Sequence, residues 1–526
     1  MRFLIPHAVT NSAEVHPDRP AIRCSGESLT YAELEMRSNG MANVLLDLGL
    51  RKGERVGIFM NKSLESAIAI YGIMKAGGAY VPLDPFAPVG RIGFVINDCG
   101  IRHVITNEAK REQINQIFTN GTCVEHVIGL APSKDLQANY VPWEDTQSAL
   151  VTPVDLHLTE QDLAYILYTS GSTGVPKGIM HTHRSGLSFA EWASSTYSLS
   201  YNDRVSNHAP LHFDLSTFDF FATAIAGGTT VIIPEALTKF PANLSKLMED
   251  ERISVWYSVP FALIQLMERG NIQTRDLSAL RWVLFAGEVF PTKHLRQLMS
   301  MLPGIRFSNL YGPTETNVCT YYHVDRIPAD SDDTIPIGRP CANIEDLVLD
   351  LDDQSVPPGE VGELLIRGGV VMKGYWGQPE KTATGFYKRP SLEHFEDIFY
   401  RTGDLVQLDE NGNYRYLGRK DRQIKTRGYR VELDEIEAAL LAHEGVQEAA
   451  AYPVPDQHGS NLIEAAVILR ESVELDQSDL VDHLAQRLPA YAIPMRIDIL
   501  EDFPRTSTGK INRRELQAWA VERIPH

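Results

Sequence analysis

The chain has 526 residues, 43% of them apolar and 22% charged, a balance that excludes a disordered or collagen-like polymer. Forty-nine basic against sixty-eight acidic side chains give a net charge of -19, which argues against a general nucleic-acid grip and against docking on anionic membranes. An anionic substrate therefore needs a local positive site, in a chain long enough for three or four units of about 100–200 residues each.

The N-terminus carries one basic residue, Arg2, and an apolar run broken by Pro6, so it lacks the h-region of a secretory signal. No stretch reaches the roughly 18 apolar residues of a membrane span. Cys24, Cys99, Cys123, Cys319 and Cys341 are widely spread, with no C-x-x-C pair. A reduced, cytoplasmic setting is expected. Between residues 29 and 231, apolar runs at 55–59, 163–167 and 228–233 alternate with helical patterns such as 63–75, where Leu64, Ala67, Ile68 and Tyr71 share a face. That alternation predicts βαβ units. After about residue 335, short strands separated by turn signals such as Pro357-Pro358-Gly359 and Asn411-Gly412-Asn413 predict a β-rich section. From about residue 421 the texture is α+β. Leu433, Ile436, Leu440 and Leu441 form a helical stripe with Gly445 as the expected C-cap, and Leu480, Leu484 and Leu488 predict a second helix over 479–488, stopped by Pro489.

The strongest local signal follows the run at 163–167: Thr169-Ser170-Gly171-Ser172-Thr173-Gly174-Val175-Pro176-Lys177-Gly178. Its glycines permit unusual backbone angles, its hydroxyls donate hydrogen bonds and Lys177 adds positive charge, as a polyphosphate cradle requires. It is not a Walker A loop, because Gly178 rather than Ser or Thr follows the lysine. Read alone, it is also compatible with a flexible Gly/Ser turn.

The loop resembles the phosphate-binding signature of the adenylate-forming superfamily, and specifically of amino-acid adenylation domains of nonribosomal peptide synthesis. Nine further segments carry the resemblance in order along nearly the whole chain: Leu29-Thr30-Tyr31-Ala32-Glu33-Leu34, Lys75-Ala76-Gly77-Gly78-Ala79-Tyr80, Phe213-Asp214-Leu215-Ser216, Asn309-Leu310-Tyr311-Gly312-Pro313-Thr314-Glu315, Gly362-Glu363-Leu364, Tyr400-Arg401-Thr402-Gly403-Asp404-Leu405, Gly418-Arg419-Lys420-Asp421-Arg422-Gln423, Leu488-Pro489-Ala490-Tyr491-Ala492 and Thr508-Gly509-Lys510-Ile511-Asn512. The sequence departs at Ala492, usually Met in the family, and at Asn512, often Asp. The resemblance implies an α/β fold with a large N-terminal domain over 1–420, made of two αβ subdomains and a β-rich one, and a small mobile α+β C-terminal domain over 421–526. It also implies ATP-dependent activation of an amino acid as its adenylate, with Mg²⁺, and transfer to a phosphopantetheine thiol.

By the same resemblance, Lys510 bridges the substrate carboxylate and the α-phosphate, Thr314 bonds that phosphate and Glu315 helps hold Mg²⁺. The nucleotide is expected against Thr169, Ser170, Gly171, Ser172, Thr173, Gly174, Lys177, Asn309 and Gly312. Tyr311 is expected to stack on adenine and Asp404, helped by Arg419, to accept from the ribose hydroxyls. Asp421 is implied as the hinge about which the C-terminal domain turns. Asp214 is a carboxylate among His212, Phe213 and Leu215, a setting that is costly without a cation; in the family an aspartate here binds the α-amino group, which points to amino acids rather than fatty or aryl acids. Aligned on the motifs, the rest of the acyl pocket is His212, Leu215, Phe218, Tyr257, Leu284, Ala286, Leu310, Val318 and Cys319, closed by Lys510. A polar side chain would be buried there unpaired. The set is similar to that of L-proline-activating members, with Phe218 in place of a leucine, and leaves close analogues such as pipecolate open.

No Gly-Gly-x-Ser attachment site follows Lys510, so the carrier protein is expected in trans. His181 and His183 offer two imidazoles but no partner at zinc spacing. Nothing pairs Cys319 with His212 as nucleophile and base. The rival readings are an acyl-CoA synthetase of the same superfamily, which Asp214 argues against, and a non-catalytic sensor of ATP or an amino acid.

Overall fold

A computed structural model describes residues 2–132, 138–171, 174–328, 333–392, 394–456, 460–471, 473–506 and 510–523. Strands and helices alternate, as the sequence predicts, and build two large sheets. In the first, Arg55–Phe59, Ala79–Pro82, His103–Thr106, His126–Ile128, Asn139–Val141 and Leu163–Thr169 run parallel, and Lys177–Thr182 returns antiparallel beside Leu163–Thr169. The second has nine strands, with Val255–Ser258, Trp282–Phe285 and Arg306–Tyr311 parallel at its centre. Val255–Ser258 and Trp282–Phe285 are buried along their length, and Arg306–Tyr311 is buried beyond its exposed first residue, so they read as largely continuous apolar runs rather than as an alternation.

Helix starts follow local chemistry. Ser63 caps Leu64–Lys75, its side chain accepting from the Ser66 N–H, and Thr30 and Glu33 form a capping box on Tyr31–Asp47. The β-rich section is a sheet of Ile344–Leu349, Val361–Gly368, Phe395–Leu408 and Phe386–Leu392, with Tyr414–Arg419 also pairing on Phe395–Leu408.

Beyond it, Gln423–Thr426 and Tyr429–Glu432 form a hairpin, and Val446–Pro455, Asn461–Leu469 and Arg496–Ile499 form a three-stranded sheet. The helices Leu433–Leu441 and Gln477–Ala485 pack on it. Two expected boundaries move. The first helix ends at Leu441 with Ala442 as C-cap, so Gly445 caps nothing. The second starts two residues earlier than expected because Asp476 accepts from the Ser478 and Asp479 N–H groups, and it ends at Ala485, ahead of Pro489. All five cysteines are free, and no helix among the described residues is long and apolar enough to cross a membrane.

Candidate active site

The nine-stranded sheet places its functional positions at or just beyond the C-terminal ends of its parallel strands, where open α/β sheets form their crevice. Tyr257 lies on Val255–Ser258, Ala286 follows Trp282–Phe285, and Gly312 to Val318 follow Arg306–Tyr311. That last turn needs its glycine, because a Cβ at Gly312 would lie 1.6 Å from the Asn317 carbonyl oxygen. His181 Nε2 donates to the Thr314 carbonyl at 2.8 Å, and burial pushes the imidazole down to about 4, so it stays neutral and fixes Thr314. His183 accepts the Ile5 N–H instead, so the two imidazoles do not converge.

A small cavity of about 80 Å³ lies here, lined by Thr169, Ser170, His212, Phe213, Asp214, Leu215, Tyr257, Ala286, Gly312, Thr314, Val318, Asp404 and Arg419. Phe218, Leu284 and Cys319 are buried behind this wall rather than in it, the Phe218 ring set edge-on to Tyr257 at 5.3 Å. Phe218 opens a π-helical turn, Phe218–Ala222, directly after the short helix Leu215–Thr217. Such turns recur at functional sites. Burial pushes the Asp214 carboxyl up, opposed by the Thr314 hydroxyl and Lys425. Burial pushes His212 down, opposed by Asp84.

A second cavity of about 330 Å³ adjoins it, lined by Asn309, Leu310, Tyr311, Ile337, Tyr416 and Arg419 among others. Asp404 and Arg419 face each other across paired strands, the guanidinium donating to Asp404 at 2.8 Å and to Asp421 at 2.6 and 2.7 Å, while the Tyr311 phenol donates to Asp404. Asn309 donates to the Pro336 carbonyl at 2.9 Å.

Glu315 is fully buried, 3.1 Å from Lys177 and 2.6 Å from Arg430, and accepts from the Tyr375 phenol at 2.9 Å. Burial would raise its carboxyl, but Arg430 and Lys177 hold it well below the usual range, so it is ionised. One carboxylate suits Mg²⁺, which is held by one or two carboxylates together with phosphates and water. Glu315 therefore fits as the protein's ligand once Arg430 moves away. Among the described residues no group of three or more acidic, His or Cys side chains gathers for a metal.

One expectation does not meet this geometry. Lys510 does not close the cavity. It is exposed, its N–H donating to the Thr506 hydroxyl at 3.2 Å and its carbonyl accepting the Thr506 N–H at 2.8 Å. Its flanking Thr508 and Gly509, and Ser172 and Thr173 of the Gly/Ser loop, lie outside the described residues. The place expected for Lys510 is taken by the hairpin, whose Gln423, Lys425, Gly428 and Arg430 line the cavity together with Tyr491. The hairpin is docked by the Ser170 hydroxyl on the Arg430 carbonyl at 2.9 Å, and the helix Leu433–Leu441 that follows it by Arg91–Glu435 at 2.6 Å. The Tyr429 and Tyr491 rings stack at 3.8 Å, with Phe213 edge-on to Tyr429 at 5.1 Å. Sequence reasoning missed these residues, although Ile424 to Arg430 carries a strand–glycine–strand signal.

Residues 9–376 match the AMP-binding enzyme family and 435–510 match the AMP-binding enzyme C-terminal domain. The chain belongs to this family. It is an AMP-forming ligase, of a kind that uses ATP with Mg²⁺. Among its relatives is the L-proline--[L-prolyl-carrier protein] ligase of Pseudomonas fluorescens, 36% identical over 97% of this chain and 98% of that one. The ligase of the same name from Streptomyces coelicolor is 36% identical over 95% of this chain and 94% of that one. The Vibrio cholerae adenylation domain AlmE has the same fold at 24% identity, with a TM-score of 0.85 over 99% of this chain and 98% of that one.

Proposed function

We propose that the chain activates L-proline with ATP as prolyl-AMP, releasing pyrophosphate, and then passes the prolyl group to the phosphopantetheine thiol of a carrier protein, in the cytoplasm. The observation that carries this reading is a carboxylate, Asp214, that faces a small cavity beside a largely apolar wall of Leu215, Tyr257, Ala286 and Val318. An ammonium group pairs the carboxylate, and the apolar walls suit a compact ring. The two relatives named as L-proline ligases support the same substrate and the carrier.

Attack of a carboxylate on the α-phosphate brings two anions together, so positioning and cations matter more than a base. Asp214 orients the acid through its ammonium, Thr314 bonds the phosphate and Asp404, steadied by Arg419, accepts from the ribose. Mg²⁺, when bound at Glu315, neutralises phosphate charge. Lys510 enters for this step when residues 421–526 turn as a unit about Asp421, away from the arrangement described above, and the hairpin returns for the second. An acyl-CoA synthetase is the rival reading, and the buried Asp214 disfavours it.

A panel of ATP–pyrophosphate exchange assays across amino acids, pipecolate and aryl acids tests the substrate. L-Proline is expected to give the highest kcat/KM, with weak activity for pipecolate. A preference for a polar, aromatic or aryl acid overturns the reading.

Gly428 tests the rotation. It sits at φ +85°, and a Cβ there would lie 2.5 Å from Val259 Cγ1, on a β-branched side chain that is stiff at χ1. Gly428→Ala should penalise the hairpin-in arrangement by about 1–3 kcal/mol. Carrier loading is expected to fall at least about fivefold while exchange persists. Equal loss of both argues against the rotation.

A further inference from the structure

The first half-reaction of the proposed function, on which this inference rests, expels pyrophosphate, so the leaving phosphates need cations of their own. Thr314 lines the small cavity; the next residue, Glu315, does not. Lys177 and Arg430 are the ion-pair partners of Glu315, at 3.1 and 2.6 Å, and a third cation, Lys381, stands beside them. The strand Gly374–Tyr375 pairs antiparallel with Lys177–Thr182, which sets the Tyr375 phenol on Glu315 and its ring 4.8 Å from the Lys177 ammonium and 5.6 Å from that of Lys381. Lys381 is held there by the short helix Pro379–Thr384, whose Thr382 hydroxyl accepts the Tyr375 N–H at 2.9 Å and donates to the Gln378 carbonyl at 2.8 Å.

The Lys381 ammonium is half-buried and makes no ion pair or hydrogen bond among the described residues. Burial lowers its pKa; Glu432 and Glu315 oppose that, and Arg430 adds to it. Burial, Arg430 and the Lys381 charge in turn push the Lys177 ammonium down to about 8. Cations crowded in this way repel one another at a cost, and a lysine kept only for solvent would point away from them. The crowd also changes with the rotation. Arg430 and Glu432 lie on the hairpin strand Tyr429–Glu432 and leave together when it withdraws. What remains is Lys177 and Lys381 against Glu315, one cation in excess, in the arrangement proposed for ATP.

We infer that Lys381 is a catalytic residue of the adenylate-forming step, donating to the β- and γ-phosphate oxygens that leave as pyrophosphate. A carboxylate oxygen of the amino acid forms a bond to the α-phosphorus. The bond from that phosphorus to the bridging oxygen breaks, and its electron pair leaves with pyrophosphate. The negative charge that grows on the leaving group is met by Lys177 and Lys381, and neither lysine gives up a proton. The products are the aminoacyl-AMP and pyrophosphate. Thioester formation involves no pyrophosphate, so Lys381 has no part in it.

The test compares Lys381→Met, which nearly keeps the length of the side chain and removes its charge, with Lys381→Arg in the full chain, using whichever amino acid gives the strongest exchange in the wild type. In ATP–pyrophosphate exchange, Lys381→Met is expected to lower kcat/KM for ATP and for pyrophosphate about 10–100-fold, the scale of one hydrogen bond to a charged group, and to move KM for the amino acid by less than about threefold. Lys381→Arg should recover most of the exchange. Single-turnover thioester formation from preformed aminoacyl-AMP and free pantetheine should keep the wild-type rate in both variants. Calorimetric titration with Mg²⁺ present gives a readout apart from turnover: Lys381→Met should bind AMP as the wild type does and α,β-methylene-ATP at least about tenfold more weakly. Near-normal exchange in Lys381→Met, an equal loss of thioester formation, or an unchanged affinity for the methylene analogue overturns the assignment. Exchange with an acid other than proline moves the substrate of the functional reading and leaves this comparison intact. A wild type that exchanges with no acid overturns that reading, and the titration still decides this one.

Discussion

Lys510→Ala is expected to lower amino-acid-dependent ATP–pyrophosphate exchange about 10²–10³-fold, the scale for removing one preorganised donor from a developing charge. The lysine is exposed and does not line the cavity in the arrangement described, so its loss breaks no packing, and the melting temperature should move little, as for a surface substitution of about ±0.5 kcal/mol. Catalytic collapse without destabilisation would mean that Lys510 reaches the site in a second arrangement. Exchange near the wild-type rate would remove it from the first step and leave no reason for the chain to rotate for adenylation.

Asp214→Ala carries the next largest effect, with opposite signs on activity and stability. With substrate bound, the change leaves an ammonium buried and unpartnered, a penalty of about 3–5 kcal/mol and hence about 10²–10³-fold or more in kcat/KM for L-proline. Without substrate, the burdened group is the aspartate itself. Burial raises its pKa above the unfolded value, so the ligand-free protein binds the proton more tightly than the unfolded chain and loses stability as pH rises through the window between the two values. Asp214→Ala removes that cost, and the ligand-free variant is expected to melt no lower than the wild type at neutral pH. Calorimetry with and without L-proline, beside exchange kinetics, checks both signs. A variant that activates proline normally overturns the role of Asp214.

The sheets were legible because apolar runs such as 55–59 report burial locally, and the cavity wall was partly legible because Asp214, Leu215, Tyr257, Ala286 and Val318 sit at fixed offsets from motifs. Phe218, Leu284 and Cys319 turned out to be a layer behind the wall; a π-helical turn sets the facing of Phe218, and no residue pattern announces that register. The hairpin was missed for another reason. Its two strands have four residues each, too short for periodicity to speak, and its key partnership, Arg430 with Glu315, spans 115 positions. Which arrangement the small C-terminal part adopts is a property of long-range contacts such as Arg91–Glu435, and motif order says nothing about it.

The hairpin also changes the sign of the space it enters. The walls supplied by the rest of the protein carry Asp214 and Asp404 against Arg419, a formal balance of one negative charge, with His212 kept neutral; the hairpin adds Lys425 and Arg430, and the balance becomes one positive charge. On a chain of net charge -19, that reversal acts as an electrostatic valve. In the proposed cycle, AMP formed while the hairpin is seated is held by the local field, and withdrawal of the hairpin both opens the exit and turns the field against the departing anion. Because Asp214, Lys425 and Arg430 are largely removed from solvent, this hold should resist added salt better than an attraction between exposed charges would.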